Sequence, residues 1–374
     1  MNRNFCLKFT VIFIILCVVS STISGCDSHY TPPEGMRVAM IATPSDITDR
    51  SYNSIVYETC KSFCSENNIP FTYYRAPEAT ADSYISMMDA AINDDFNIIV
   101  LNDSLSARAV RLAANANPEV KFIASDVDAS SFGKNYTLPP NLVCWTFKED
   151  YAGYMAGYAA VKEGYRHLGF MGGVSVGPVM RFSSGFIQGA DEAAGEIGAN
   201  VQIEHVYANQ FFADADISAY MTNWYMNKEI DVIFACAGMA WVSVADAAQA
   251  TNGKMIGVDV DQRDVINEYT KQDTVITSAV KGLDISIKTA LETILNENWE
   301  NIGGHSYSLS LTDSDNPENN YLKLPTKNWS MKNFTKSDYQ KLVKRLCDGE
   351  LKVFDETANY EPKYVTVNYH GSIK

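Results

Sequence analysis

The chain has 374 residues, more than one ordinary hydrophobic core accommodates and enough for two domains. Hydrophobic residues make up 46% and charged residues 20%, which is the balance of a folded globular chain and not of a disordered one. A formal net charge of −15 argues against nucleic acid and anionic lipid as partners, because both repel an acidic surface.

The first stretch, residues 1–25, stands apart. Arg3 and Lys8 give it a basic start, Phe9 to Val19 form an apolar run too short to span a bilayer, and Ile23-Ser24-Gly25-Cys26 closes it. Apolar, small, small, cysteine is the pattern of a bacterial lipoprotein cleavage site. Residues 1–25 are therefore expected to be an export signal, with Cys26 as the lipid-bearing N-terminus. Residues 26–35 read as a polar, proline-containing tether. The expected location is the extracytoplasmic face of the cell membrane, with the lipid as the only attachment. Cys60, Cys64, Cys144, Cys236 and Cys347 remain beyond the cut. Cys60 and Cys64 lie one helical turn apart, where an oxidised pair or a metal site competes with buried free thiols. No histidine stands at ligand spacing from them, which favours the thiols and leaves no metal site to propose.

From Arg37 onward apolar strands alternate with helical segments. Strands are expected over 37–41, 71–75, 97–101, 121–125 and 142–147, with helices over 53–67, 82–93 and 107–116 between them. The pattern then restarts. Helices over 151–162, 182–196, 217–227 and 242–250 alternate with strands over 167–171, 201–206, 232–235 and 255–258, and a strand over 274–280 follows. Such alternation implies α/β architecture, with parallel sheets wrapped by helices, in two similar halves. From about Asn298 the chain turns polar and irregular, with one helix over 337–346, and reads as a cap on the second half.

No residue asks for a catalytic role: there is no G-x-S-x-G elbow, no H-E-x-x-H and no lysine-containing phosphate loop. Gly172 to Gly177 follows a strand but lacks dinucleotide spacing, and Pro178 stands where a helix should already be under way, so a tight turn is the better reading. Strand ends, where open parallel sheets bind ligands, collect polar groups instead. Asp49 and Asn53 flank Tyr52 after the first strand; Asn53 is placed to cap the helix, and Tyr52 either faces a cleft or staples its own helix. Asp126 ends another strand. Gly238 permits close approach of a ligand, and Phe212 sits in a polar loop. Asp259 and Lys281 end two successive strands, where they form either a surface salt bridge or a charged clamp for a hydroxyl-rich ligand.

Five stretches taken together resemble the basic membrane protein family of lipoproteins, the purine-nucleoside-binding components of ABC importers. They are DRSYN (Asp49 to Asn53), AGYMAGYAA (Ala152 to Ala160), GFMGG with RFSSGFIQGA (Gly169 to Ala190), GVDVDQ (Gly257 to Gln262) and TSAVKGLD (Thr277 to Asp284). The resemblance implies a type I periplasmic-binding-protein fold, two Rossmann-like lobes hinged by three crossovers. The lobes are expected at 36–147 with 278–303, and at 148–277 with 304–374. It also implies Tyr52 and Phe212 as stackers on the base, Asp259 and Lys281 on the ribose, Gly238 against the nucleoside and Asp126 as an acidic pocket residue. Thr43 stands where the family has an aspartate reading a base edge, and Trp241 interrupts a loop that is usually glycine-rich, where it would narrow the pocket or replace a stacker. The expected function is capture of a purine nucleoside and delivery to an ABC permease, with no cofactor. A sensory binding protein of the same fold and a nucleoside-acting surface enzyme are the alternatives.

Overall fold

The computed structural model describes residues 35–133, 136–355 and 360–374; the expected signal segment and Cys26 lie outside them. The first half runs β1 (Val38–Ala42), α1 (Tyr52–Glu66), β2 (Phe71–Arg75), α2 (Ala81–Asn93), β3 (Ile98–Asn102), α3 (Ala107–Ala116), β4 (Lys121–Ser125) and β5 (Leu142–Phe147). The second half runs α4 (Glu149–Glu163), β6 (His167–Gly172), α5 (Gly177–Ile197), β7 (Val201–Tyr207), α6 (Ala215–Asn227), β8 (Val232–Cys236), α7 (Trp241–Thr251), β9 (Lys254–Asp259), α8 (Arg263–Thr270) and β10 (Val275–Lys281). Then follow α9 (Leu283–Leu295), β11 (Ser306–Leu309), β12 (Leu322–Lys323), α10 (Lys336–Cys347) and β13 (Val365–Ser372).

Two sheets result, ordered β11-β5-β4-β3-β1-β2 and β12-β10-β9-β8-β6-β7-β13, all pairs parallel except β10 with β12. Central strands such as β1 (VAMIA) are buried along their whole length, as strands covered on both faces must be. Val38, Met40 and Ala42 join the apolar cluster that holds Val56 and Cys60 of α1, whereas Ala39 and Ile41 join the one that holds Tyr84 of α2 and Val110 of α3. The five described cysteines are all free thiols.

The chain passes between the sheets three times: from β5 to α4, from β10 to α9, which packs on α1, and from β11 to β12. Two of these passages differ from expectation. β10 belongs to the second sheet through Lys281, so the return to the first lobe falls at Gly282 and not after Thr277. β11, expected in the second lobe, pairs with β5 and covers what would be an open edge of the first sheet. The remaining cap, β12, α10 and β13, completes the second lobe.

The glycines of two sequence stretches have a packing cause. A Cβ on Gly153 or Gly157 of α4 would lie 2.1 Å from the Phe182 or Phe186 carbonyl oxygen of α5. One on Gly185 or Gly189 would lie 1.9 Å from the Asp150 or Tyr154 oxygen. The two helices thus cross backbone against backbone. α5 also begins at Gly177, earlier than expected, because Pro178 sits in its first turn, where a missing N–H costs nothing.

Candidate functional site

The carboxyl ends of both sheets meet at a cavity of about 210 Å³. Its lining comes from the turns after β1, β2, β3 and β4 on one side and after β6, β7, β8, β9 and β10 on the other. The strand orders give this cleft a direction. β4 and β10 lie toward the crossovers, so Asp126 and Lys281 stand at the hinge end. β1 and β7 lie away from it, so Thr43, Phe211 and Phe212 stand at the far end. Asp126 and Asp259 both hold left-handed backbone, φ 61° and 66°, a turn that aspartate tolerates better than most residues.

At the hinge end a buried ionic cluster is built around Lys281. Its ammonium lies 2.5 Å from Asp126 Oδ2 and 2.8 Å from Glu149 Oε1, and 5.2 and 5.0 Å from the ring centroids of Tyr52 and Phe147. The Tyr52 hydroxyl donates to the same Asp126 oxygen at 2.5 Å, and Arg181 Nε lies 2.5 Å from Glu149 Oε2. Lys281 is 2% exposed and Glu149 not at all. Burial pulls the Lys281 pKa down, but Asp126 and Glu149 outweigh it and hold the group cationic, above its ordinary value. Both carboxylates bond Lys281, yet they shift in opposite directions. Burial raises the Asp126 pKa despite Lys281, whereas Glu149, which also has Arg181, is held below the ordinary value against its burial. Burial, with Asp126 beside it, pushes the Tyr52 hydroxyl far up, so it stays a donor. Asp126 Oδ1 is buried without a hydrogen-bond partner among the described residues. Asp259 is not bonded to Lys281. Its Oδ2 accepts from the Ser51 hydroxyl at 2.9 Å, and burial lifts its pKa to about 6.

At the far end the polar groups are sorted by what they can do. The Thr43 N–H donates to Asn53 Oδ1 at 3.1 Å, and because a backbone N–H can only donate, the orientation of the Asn53 amide is set. Asn53 Nδ2 then donates to Thr43 Oγ1 at 2.8 Å, and the Ser45 N–H reaches the same oxygen at 3.3 Å. With both lone pairs engaged, the Thr43 hydroxyl has only its hydrogen to offer. Asp103, one strand over, accepts from the Tyr84 hydroxyl and from the Leu105 N–H at 2.9 Å, keeps a spare lone pair on each oxygen, and is an acceptor there.

The family model described as "ABC transporter substrate-binding protein PnrA-like" matches residues 36–314. The chain belongs to this family. Basic membrane protein B of Borreliella burgdorferi is 28% identical over 312 residues, covering 81% of this chain and 86% of that one. The ABC transporter nucleoside-binding protein BmpA of Lactococcus lactis is 26% identical over 313 residues, covering 75% and 84%. An ABC transporter solute-binding protein from Conexibacter woesei superposes with a TM-score of 0.67 at 20% identity, covering 86% of this chain and 99% of that one, a likeness of fold.

For a member of the PnrA-like family, the residues singled out from sequence divide into three groups. Tyr52, Asp126, Phe212, Gly238, Asp259 and Lys281 all line the one cavity. Asp49 and Asn53 line it too, but their polar atoms are spent within the protein. The Asp49 carboxylate takes the Ser51, Asn53 and Ser54 N–H groups at 3.0, 2.9 and 3.0 Å, so Asp49 and not Asn53 caps α1. Trp241 neither narrows the cavity nor supplies a stacking face. It is 3% exposed, packs edge-on to Tyr269 and donates its N–H to the Asp49 carbonyl at 3.3 Å, so it spans the lobes outside the pocket. Sequence reasoning missed Glu149, whose one signal is an acid opening the helix before AGYMAGYAA. It also missed Asp103 and the apolar wall of Val176, Val179 and Phe182.

Proposed function

We propose that this substrate-binding protein captures a purine nucleoside in the cleft and releases it unaltered to an ABC permease. We further propose that it is held on the extracytoplasmic face of the cell membrane through Cys26. The observation that carries this reading is the polarity of the cleft. Its hinge end holds Asp126 and Asp259, acceptors suited to sugar hydroxyls, around one ammonium; its far end is walled by Phe211 and Phe212. A ligand that is a polyol on one side and a flat ring on the other matches both ends. The volume of about 210 Å³ falls below the ~300–1,000 Å³ of drug-sized sites and admits one small molecule. Four aspartates against one lysine in the lining disfavour a phosphorylated ligand, so the nucleoside is preferred to the nucleotide. The donor at Thr43 beside the acceptor at Asp103 complements a base edge that carries an acceptor next to a donor, as adenine and hypoxanthine do. No described helix is long and apolar enough to cross a membrane. Titration calorimetry with adenosine, inosine, guanosine, their monophosphates, free bases and ribose tests the reading. Binding of nucleosides but not of ribose or monophosphates, with the ligand recovered unchanged, supports it; no heat with any nucleoside refutes it.

A further inference from the structure

We propose that the turn Asp49 to Ser51 is an interlobe latch, and that its partners Trp241 and Gln262, both outside the cavity, set ligand affinity by holding the lobes closed. The inference rests on the cleft being the binding site and not on the ligand being a nucleoside. The turn joins β1 to α1 in the first lobe, and each of its residues sends one group to the second. The Asp49 carbonyl accepts from Trp241 Nε1 at 3.3 Å, the Arg50 carbonyl accepts from Gln262 Nε2 at 3.3 Å, and the Ser51 hydroxyl donates to Asp259 at 2.9 Å.

Both sides of this contact are set in advance. The Asp49 carboxylate binds three N–H groups of its own turn, which makes the turn rigid. Arg50 holds left-handed backbone, φ 53°, a conformation a non-glycine residue keeps only where its surroundings demand it. Across the cleft Gln262 is fully buried; its Oε1 accepts from the Val258 N–H at 2.9 Å and its own N–H donates to Ser278 Oγ at 3.1 Å. Because the Val258 N–H can only donate, the amide orientation is decided, and Nε2 is the atom left to face Arg50. Neither Trp241 nor Gln262 lines the cavity, whereas Asp259 does, so the Ser51 bond ties the latch to the ligand site.

A ligand gripped by two lobes binds with its intrinsic affinity multiplied by the fraction of protein that is closed. Loosening the latch lowers that fraction, so every ligand loses affinity by one common factor. A change inside the cavity instead alters the ranking of ligands. Trp241→Phe keeps an aromatic ring and removes the N–H; Gln262→Glu keeps the acceptor for Val258 and sets an oxygen against the Arg50 carbonyl. In the full chain, calorimetry with adenosine, inosine and guanosine is expected to show each variant weakened toward all bound nucleosides by the same factor, about 5- to 10-fold, as for one lost hydrogen bond. Small-angle scattering without ligand is expected to give a larger radius of gyration for the double variant. Unchanged affinities, or factors that differ between nucleosides, overturn the latch. If the wild-type protein binds no nucleoside, the ligand reading fails, and the scattering comparison alone decides: an unchanged radius overturns the latch, an increase sustains it.

Discussion

Lys281→Met removes the only cation that Asp126 touches among the described residues and leaves the rest of the hinge-end cluster in place. In the native site one buried ammonium serves two carboxylates that are themselves buried. Methionine matches the length of the lysine stem, so packing against Tyr52 and Phe147 is largely kept and the loss is one of charge. Removing one partner of a buried ion pair costs about 3–5 kcal/mol. The two carboxylates do not share this cost equally. Glu149 retains Arg181, whereas Asp126 retains only the Tyr52 hydroxyl. Asp126 already has a raised pKa in the presence of Lys281, and without it the carboxyl escapes the penalty by taking up a proton. A carboxyl whose folded pKa lies above its unfolded value binds more protons when folded. Its protonation therefore adds stability as pH falls, and the deficit of the variant shrinks from pH 8 toward pH 5. Urea denaturation of both proteins across this range measures the difference directly. A deficit below about 1 kcal/mol at pH 8, or one that does not change with pH, refutes the assignment of Lys281 as the counter-ion of Asp126.

Four further outcomes are expected. Asp259→Ala should weaken nucleoside binding by more than about 1.5 kcal/mol, the value of a charged hydrogen bond in a closed site, as read by calorimetry. Because the Asp259 pKa lies near 6 and hydroxyl donors favour its ionised form, wild-type affinity should hold above pH 7 and fall below about 6, with proton release on binding that buffers of different ionisation heat reveal; a flat profile removes Asp259 from the grip. Thr43→Val deletes the donor at the far end and should cost about 1 kcal/mol with adenosine and inosine alike while leaving the melting temperature within a few degrees; unchanged affinity excludes Thr43 from base contact. Gly185→Ala places a methyl group 1.9 Å from the Asp150 carbonyl oxygen and should destabilise the protein by ~1–3 kcal/mol or more, since backbone cannot yield as a side chain does; a native melting temperature contradicts the backbone-to-backbone crossing of α4 and α5.

Much of the architecture was legible in the chain itself. Uninterrupted apolar runs such as NIIVL and VIFA can only be strands covered on both faces, and the helices between them dictate parallel pairing. Strand ends are also where parallel sheets bind ligands, which is why Tyr52, Asp126, Gly238, Asp259 and Lys281 could be picked out before any of them had neighbours. Their partners could not. Lys281 and Asp259 looked like a pair because they end adjacent strands, yet Lys281 turns to Asp126 and Glu149 across the hinge, and Asp259 takes Ser51 from the other lobe. Periodicity reports which face a residue occupies within its own element and carries no information on which element of the opposite lobe it meets. The same gap explains Trp241, which was placed at the right rim but points out of the cavity to the Asp49 carbonyl, and β11, too short and polar to announce which sheet edge it would cover. The local pattern of apolar and polar residues decided the layers and the rim; only the meeting of the two lobes decided which rim groups bind one another and which remain for a ligand, because those bonds join residues up to 212 positions apart in the chain.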